Sequence, residues 1–409
     1  MHKKQNHIYI GIDLHKATHT AVVIDCWNTK LGEITFENKP SEFKKLIEKV
    51  NKHNDGLIPV FGLENAESYG RNLAICLIEK GYIVKDVNPS LSHAQRLSAP
   101  TTKKDDSYDA WCVANVLLSR LDDLPESKPN DIFWTLSQLV NRRESIVVTG
   151  VRLKGQLHEQ LSHSYSSYKK FFTLIDTKTA LNFWELYPSP QYLQPVTVEE
   201  LAEILRKTSH NHYSTKKAQS ILEAAHNDGY IKKDYQEVRD FIIKGIVRDL
   251  RHAKEELEKV EKEIIQLMKI LGYKLETMPG IDTITAARII AEIGDINRFS
   301  NADKLARFAG IAPSFFGSGG KGKEQKSRQG NRRLYGIFYF LAVQMIQVSI
   351  KGKPRNAVFL DFFKRKQTEE KTKPQALVSV MRRLVNIIYG MLKNKTEYKA
   401  PEVSSKEVV

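Results

Sequence analysis

The chain has 409 residues, 41% hydrophobic and 27% charged, so it is long enough for two or three folded domains of ordinary globular composition. Lys and Arg number 63 against 48 Asp and Glu, and the net charge of +15 favours a polyanionic partner such as nucleic acid. Three scattered cysteines exclude a disulfide framework and a zinc cluster, and no apolar run is as long as a membrane span. We therefore expect a soluble, cytoplasmic protein with no membrane partner.

The first 125 residues show strands followed by alternating strands and helices. Apolar runs closed by short polar turns are typical of strands, and apolar residues at helical spacing fill the segments between them. This order predicts an α/β layer domain over residues 1–125. The predicted strands cover 8–14, 20–25, 33–37, 58–64 and 82–87, and the predicted helices cover 41–52, 68–80 and 106–119.

Residues 126–272 have a mainly helical pattern. Amphipathic periodicity predicts one long helix over 132–168 and a second over 235–271, with an aromatic-rich insertion between them. Two long helices that flank an insertion indicate an antiparallel coiled-coil arm, with two ordinary bundle helices as the alternative.

Residues 273–395 are predicted to form a last, mainly α-helical domain, and residues 396–409 a disordered tail. Met278-Pro279-Gly280-Ile281, followed by an apolar helical pattern, indicates a helix–hairpin–helix-like element. Such an element can hold a phosphate through its backbone N–H groups. A helical hairpin used only for packing is the alternative.

Four carboxylates stand where a metal-dependent nuclease would need them. Asp13 and Glu64 each end an apolar run, and Asp106 and Asp109 lie one turn apart at the start of a predicted helix. Side chains delivered from two strand ends and a helix can converge on hard divalent cations, which prefer oxygen ligands. Two such ions can support phosphodiester chemistry. For each Asp taken alone, a turn or capping role is the alternative.

Ser318 lies in a glycine-rich segment, where its hydroxyl is expected to be exposed on a conformationally free backbone. The dense positive charge beside it could bind a phosphodiester and stabilise an oxyanion. A flexible basic surface loop is the alternative. The basic residues predicted to bind nucleic acid are Lys321, Lys323, Lys326, Arg328, Arg332 and Arg333.

Several motifs follow one another along residues 7–345. They are Gly11-Ile12-Asp13-Leu14-His15-Lys16, Gly62-Leu63-Glu64 with Tyr69-Gly70, Val87-Asn88-Pro89, Lys104-Asp105-Asp106-Ser107-Tyr108-Asp109-Ala110, Met278-Pro279-Gly280-Ile281, Gly310-Ile311-Ala312-Pro313, Ser318-Gly319 and Gly330-Asn331-Arg332-Arg333-Leu334. In this order they resemble the DEDD-type transposases of bacterial insertion sequences, the bridge-RNA-guided serine recombinases related to Piv-type DNA invertases. The chain departs from the family pattern at two places. Asp105 replaces a Thr, which keeps Asp105 as an alternative to Asp106, and Glu67 stands near the preferred Glu64.

The resemblance implies a RuvC-like, RNase H-type domain in which Asp13, Glu64, Asp106 and Asp109 bind Mg²⁺, with Mn²⁺ as an alternative. It also implies a C-terminal transposase domain in which Ser318 is the nucleophile and forms a covalent phosphoserine intermediate. The implied partners are double-stranded donor and target DNA, a non-coding bridge RNA and further copies of the chain. These copies would form a dimer with an active site assembled between subunits, and a tetramer in synapsis. The implied location is the bacterial cytoplasm, in association with the nucleoid.

Three other functions fit parts of the pattern. A junction-resolving nuclease would use only the carboxylates and would leave the glycine-flanked serine unexplained. A Piv-like invertase would need no guide RNA. A degenerate transposase would bind nucleic acid without catalysis, although every candidate catalytic position is filled by a chemically competent residue.

Overall fold

A computed structural model describes residues 3–64, 68–98, 105–129, 131–231, 233–312, 314–318, 321–325 and 329–400, with the backbone alone for 314–318 and 321–325. The chain divides into two compact units, Met1–Trp134 and Thr135–Val409. The sequence-based boundaries at 125/126, 272/273 and 395/396 stay predictions. From residue 401 on, the predicted disordered tail lies outside the described residues.

The first unit is built on a mixed five-stranded sheet in the order β3-β2-β1-β4-β5. The first three strands pair antiparallel, whereas β4 and β5 continue the sheet parallel to β1. The predicted α/β layer is therefore confirmed. Its elements are β1 (His7–Leu14), β2 (Thr18–Ile24), β3 (Lys30–Glu37), α1 (Phe43–Asn51), β4 (Ile58–Glu64), α2 (Arg71–Glu79), β5 (Ile83–Val87), α3 (Pro89–Leu97) and α4 (Asp106–Arg120).

Helices cover both faces of this sheet, and β1 is buried on both sides. Successive strand residues point to opposite faces, so Ile10 packs towards α1 and α2 while Tyr9 packs towards α4. Gly11 lies on the same face as Tyr9, and its lack of a side chain lets α4 lie directly on the strand. The alternation therefore places Asp13, two residues further on, on the face that α4 covers.

The second unit is mainly helical, as predicted. The long helices α5 and α11 run antiparallel, because Arg143 in the first half of α5 pairs with Glu261 near the end of α11, while Lys154 and Lys254 further along both bind Asp176. A coiled-coil arm stays a prediction. The elements up to this point are α5 (Asp131–Ser164), α6 (Tyr168–Phe171), α7 (Lys178–Leu186), α8 (Pro190–Leu193), α9 (Val198–Ser209), α10 (Thr215–Asp228) and α11 (Gln236–Leu271).

The insertion between α5 and α11 has its own aromatic core. Trp184 is fully buried and stacks on Phe171, with Tyr165 tilted against it. Its indole Nε1 donates to the carbonyl of Ile175 at 3.1 Å, so the polar edge of the ring is satisfied. The aromatic residues that break the amphipathic pattern in the sequence thus form a packed helical module.

The described residues of the last part of the chain are mainly helical and include a two-stranded hairpin. The predicted helix–hairpin–helix region contains a short 3₁₀ turn, Leu275–Thr277, then a turn with Gly280 at φ 93° before the next helix. That assignment stays a prediction. The elements are α12 (Thr283–Ile293), α13 (Ala302–Phe308), β6 (Ser314–Ser318), β7 (Lys321–Gln325), α14 (Arg332–Met345), α15 (Ala357–Thr368) and α16 (Lys373–Asn394). Among the described residues, none of these or the earlier helices is long and apolar enough to cross a membrane.

Candidate active site

Asp13 and Glu64 lie side by side at one edge of the sheet. β1 and β4 are parallel with Ile12 opposite Leu63, so the next residue of each strand is a carboxylate. The negative charge of Glu64 acts on the carboxyl group of Asp13. This is the arrangement that the sequence predicted from two acidic residues at strand ends.

Two adjacent aspartates at the start of α4 have different contacts. Asp105 is the N-cap of the helix, and its Oδ1 accepts a 2.7 Å hydrogen bond from the backbone N–H of Tyr108. Asp106 instead presents its carboxylate to the group that contains Asp13. Because Asp105 is committed to capping, the geometry favours Asp106 as the ligand, and that role stays a proposal.

Asp109, one turn further along α4, has a cationic partner. Its Oδ1 lies 2.7 Å from Nη2 of Arg96, which comes from α3. Both side chains are mostly buried, so the attraction between them is weakly screened. Neither α3 nor this arginine is evident in the sequence pattern. In this arrangement Asp109 is held by Arg96 and lies outside the three-residue group of Asp13, His15 and Asp106.

His15 is a member of the site that reasoning from the sequence missed. Its Nε2 lies 2.9 Å from Oδ2 of Asp13 and 3.4 Å from Oδ1 of Asp106. The signal was present in the sequence, because residues i and i+2 of a strand point to the same side. An Asp-x-His pattern at the end of a strand therefore predicts that the two side chains lie together.

The electrostatics of Asp13 favour a cation at this site. Burial raises the pKa of the Asp13 carboxyl; His15 opposes this, and the negative charges of Asp109, Asp106 and Glu64 raise the pKa further. Oδ2 of Asp13 is enclosed and accepts no hydrogen bond of normal geometry from the described residues. A divalent ion would neutralise the converging carboxylates and would be coordinated by Oδ2 of Asp13. The residues present therefore fit a divalent metal centre.

The segment of Ser318 contains a β-hairpin, so the alternative of a flexible loop is wrong over 314–318 and 321–325. β6 and β7 pair antiparallel, and Ser318, the last residue of β6, lies opposite Lys321, the first residue of β7. The glycine-rich composition suggested a free backbone, but the residues of the two strands pair with each other in a ladder. Lys321 and Lys323 belong to β7, whereas Lys326 and Arg328 lie outside the described residues.

Two glycines fix the base of this hairpin. Gly310 has φ 68° and Gly330 has φ 109°, and a Cβ built on Gly330 would lie 2.5 Å from the backbone nitrogen of Gly310. The backbone N–H of Asn331 also donates to the carbonyl of Phe308 at 2.7 Å. The two ends of the segment that carries Ser318 are thus joined backbone to backbone, which only glycine permits at this separation.

Beyond the hairpin, Asn331 and Arg333 both contact Glu292. Nδ2 of Asn331 donates to Glu292 at 2.6 Å, and its Oδ1 caps α14 by accepting from Leu334. Nη1 of Arg333 lies 3.6 Å from Glu292 and donates to Asn141 at 2.6 Å, yet its side chain stays 61% exposed. Arg333 is thus oriented by protein contacts and still reachable by a phosphate. Arg332 also belongs to α14, at its first turn.

Comparison with known proteins agrees with these observations. A family model of DEDD transposases of the IS110 type, described as "Transposase", matches residues 10–166, and the model "Transposase IS116/IS110/IS902 family" matches residues 272–357. Together they match more than half of the chain. The chain belongs to the IS110-type transposase family. It is therefore an enzyme of the DNA transposase and recombinase class, of the kind that insertion elements encode.

Relatives align along nearly the whole chain. The "Insertion element IS116 uncharacterized 44.8 kDa protein" of Streptomyces clavuligerus is 25% identical, over 97% of this chain and 97% of that protein. The "Pilin gene-inverting protein" of Moraxella lacunata is 25% identical, over 95% and 97%. Among solved structures, "T. thermophilus RuvC in complex with Holliday junction substrate" is 13% identical and covers 30% of this chain and 99% of its own, with a TM-score of 0.24. The alignments with these two relatives thus span both units and the insertion.

Proposed function

We propose that this transposase catalyses metal-dependent cleavage and exchange of DNA strands for an insertion element. The observation that carries the proposal is the convergence of Asp13 from β1 and Asp106 from α4, whose carboxylate oxygens lie within 4.8 Å of each other. The mixed sheet, with β1 in its centre and α4 across it, supports a RuvC-like, RNase H-type domain as the carrier of these residues. Hydrolytic and transfer reactions of phosphodiesters are the chemistry that such a site serves.

The four carboxylates Asp13, Glu64, Asp106 and Asp109 are proposed to hold Mg²⁺, with Mn²⁺ as an alternative. A bound ion would supply Lewis acidity, lowering the pKa of an attacking hydroxyl and neutralising charge on the phosphate. Asp13 and Glu64 each follow the last paired residue of two adjacent parallel strands, and such rigid elements support their role as ligands. Oδ1 of Asp109 pairs with Arg96, and its second carboxylate oxygen is the one proposed to bind such an ion.

Ser318 is proposed to be the nucleophile. Its Oγ would form a bond to a DNA phosphorus while the bond from that phosphorus to one strand breaks, and the proton of the serine would leave with a base or with the departing hydroxyl. A hydroxyl of another DNA strand would then attack the phosphoserine and release the serine. The energy of the phosphodiester is kept in the covalent intermediate, so the strands are rejoined without a nucleotide cofactor. The pairing of Ser318 with Lys321, in a segment whose two ends meet at Gly310 and Gly330, supports a defined backbone position for this residue.

Donor and target DNA are the proposed substrates, and a non-coding bridge RNA is the proposed guide. The net charge of +15 suits a polyanion, and Arg333 is exposed next to the hairpin segment. Base pairing between the RNA and DNA would select the sequences, and the protein would contact backbone and shape. A homo-oligomer, dimeric before and tetrameric during synapsis, is part of the same proposal.

The test of the reaction is strand exchange on labelled DNA that carries the ends of the element, with the co-purified RNA retained. Asp13→Asn and Ser318→Ala are each expected to abolish joined products while DNA binding stays within about twofold of wild type, since neither change removes a cation. Asp25→Asn, at a carboxylate that only organises a surface turn, is the matched control. Cleavage without joined products would favour a nuclease, and binding without any cleavage would favour a non-catalytic protein.

The guide is tested separately by sequencing the nucleic acid that survives stringent washing of the purified protein. The proposal expects one discrete, structured RNA that maps beside the gene. Random cellular RNA, together with strand exchange that proceeds after ribonuclease treatment, would favour an invertase that needs no guide.

A further inference from the structure

His15 follows the last paired residues of β1 and is held there by the β1–β2 turn. Its backbone N–H donates to the carbonyl of Thr18 at 3.1 Å, and the neighbouring register pairs Leu14 with His19. Leu14 points to the opposite side, where its side chain lies against Gly70. The alternation of side chains along the strand thus places Asp13 and His15 on the same side of the sheet. Their proximity is therefore set by the backbone.

The spacing of the three donor atoms matches a shared ion. Two neighbouring ligands of an octahedral ion with bonds of about 2.1 Å lie about 3.0 Å apart. Nε2 of His15 lies 2.9 Å from Oδ2 of Asp13 and 3.4 Å from Oδ1 of Asp106. Nε2 of His15 therefore stands near a ligand–ligand separation from each aspartate, and donor atoms of all three residues lie within 4.8 Å of one another.

The orientation of the His15–Asp13 contact is a second, independent observation. Although Nε2 is only 2.9 Å away, Oδ2 of Asp13 accepts no hydrogen bond of normal geometry and is enclosed by protein atoms. A donor–acceptor pair points the N–H at the oxygen lone pair. Two ligands of one ion instead lie side by side, with both lone pairs directed at the metal.

We propose that Nε2 of His15 is a ligand of the ion held by Asp13 and Asp106. This inference rests on the proposed metal-dependent function and adds to it a residue outside the set of four carboxylates. Imidazole nitrogen suits transition ions, whereas Mg²⁺ prefers oxygen donors. A mixed nitrogen and oxygen set therefore raises the affinity for Mn²⁺ relative to Mg²⁺, and His15 sets the metal preference of the enzyme.

The test uses Mn²⁺ alone with the full-length protein. Pulsed electron paramagnetic resonance detects a ¹⁴N nucleus bound directly to Mn²⁺, and calorimetry gives the affinities for Mn²⁺ and Mg²⁺. Wild type is expected to show ¹⁴N coupling. His15→Gln is expected to lose that coupling and to bind Mn²⁺ about tenfold more weakly or worse, because the loss of even an outer-shell partner commonly costs that much. The affinity for Mg²⁺ should change less.

His53→Gln is the matched control, since His53 follows α1 on the opposite face of the sheet. It should keep both the coupling and the affinity. Mn²⁺ that binds to wild type without ¹⁴N coupling, or with coupling that persists in His15→Gln, would overturn the role of His15 and leave the carboxylate site standing. Absence of Mn²⁺ binding in wild type, or binding unchanged in Asp13→Asn, would overturn the metal centre itself.

Discussion

Gly11 on β1 lies directly against Ala110 on α4: a Cβ added to the glycine would sit 2.1 Å from the carbonyl oxygen of Ala110 and 2.2 Å from the backbone nitrogen of Ala114. No shift of a side chain can relieve such a contact, because both atoms belong to the helix backbone. The separation between Asp13 on the strand and Asp106 on the helix therefore depends on residue 11 having no side chain. A glycine two residues before the first carboxylate is thus a structural requirement of the site.

Gly11→Ala is expected to push α4 away from the sheet. The free energy of unfolding should fall by about 3 kcal/mol or more, at the upper end of the cost of overpacking, and metal binding should weaken because Asp106 moves with the helix. Chemical denaturation and calorimetry measure the two effects. Gly150→Ala on α5, where nothing lies within 4 Å of the added carbon, is the control and should be neutral or slightly stabilising. Equal effects of the two changes would contradict the close contact.

Substitutions of the two aspartates at the start of α4 should have different effects, one on stability and the other on metal binding. Asp105→Ala removes the N-cap and should cost about 1 kcal/mol of stability with little loss of metal affinity, whereas Asp105→Asn keeps a capping oxygen and should be nearly neutral. Asp106→Asn should abolish tight metal binding at little cost in stability. Thermal unfolding and calorimetry of the three variants check this, and loss of metal in Asp105→Asn but not in Asp106→Asn would move the ligand to Asp105.

His19 should make the stability of the first unit depend on pH. The side chain is fully buried against Phe36, and burial lowers the pKa of its imidazole from the ordinary value of 6.5. The imidazole of His19 therefore resists protonation in the folded state. Its contribution to the free energy of unfolding is present above pH 6.5, and it is lost as the pH falls from 6.5 towards the lower pKa of His19 in the folded protein. Denaturation between pH 7.5 and 5 should show this loss in wild type and in the exposed-site control His93→Leu. His19→Leu should flatten the curve, and an unchanged slope in that variant would refute the assignment.

Gly330→Ala should disturb the hairpin that carries Ser318 and leave metal binding intact. The change forces a residue with a side chain to adopt φ 109°, which costs about 1–3 kcal/mol, and brings its Cβ to 2.5 Å from Gly310. Strand exchange should fall at least tenfold while calorimetry with Mg²⁺ stays as in wild type. Gly336→Ala on α14, with open space around it, is the control. Full strand exchange by Gly330→Ala would show that the base of the hairpin tolerates displacement.

The sequence predicted the sheet well because strands depend on local patterns, whereas the metal-binding role of the carboxylates stays a prediction. β4 has the predicted bounds, Ile58–Glu64, and the strand ends deliver Asp13 and Glu64 to one edge. The helix α3 was missed, since it is only nine residues long and follows Asn88-Pro89, which looks like a turn although Asn88 caps the helix. The role of Arg96 on this helix was missed too, because its pairing with Asp109 depends on tertiary contacts that a periodic sequence pattern does not encode.

In the C-terminal part, composition was a poor guide to the backbone. Glycine and lysine in 314–325 favoured a loop, but cross-strand pairing gives each strand a partner that local propensity does not reveal.

Trapping the covalent intermediate tests the central claim most directly. End-labelled DNA is incubated with the protein, its RNA and Mg²⁺, the mixture is denatured, and the residue that carries the DNA is located by mass spectrometry. We expect a denaturation-resistant adduct on Ser318 in wild type and in Ser314→Ala, a control on the same strand β6, and none in Ser318→Ala or without metal. Full strand exchange by Ser318→Ala, or an adduct on another residue, would contradict the account.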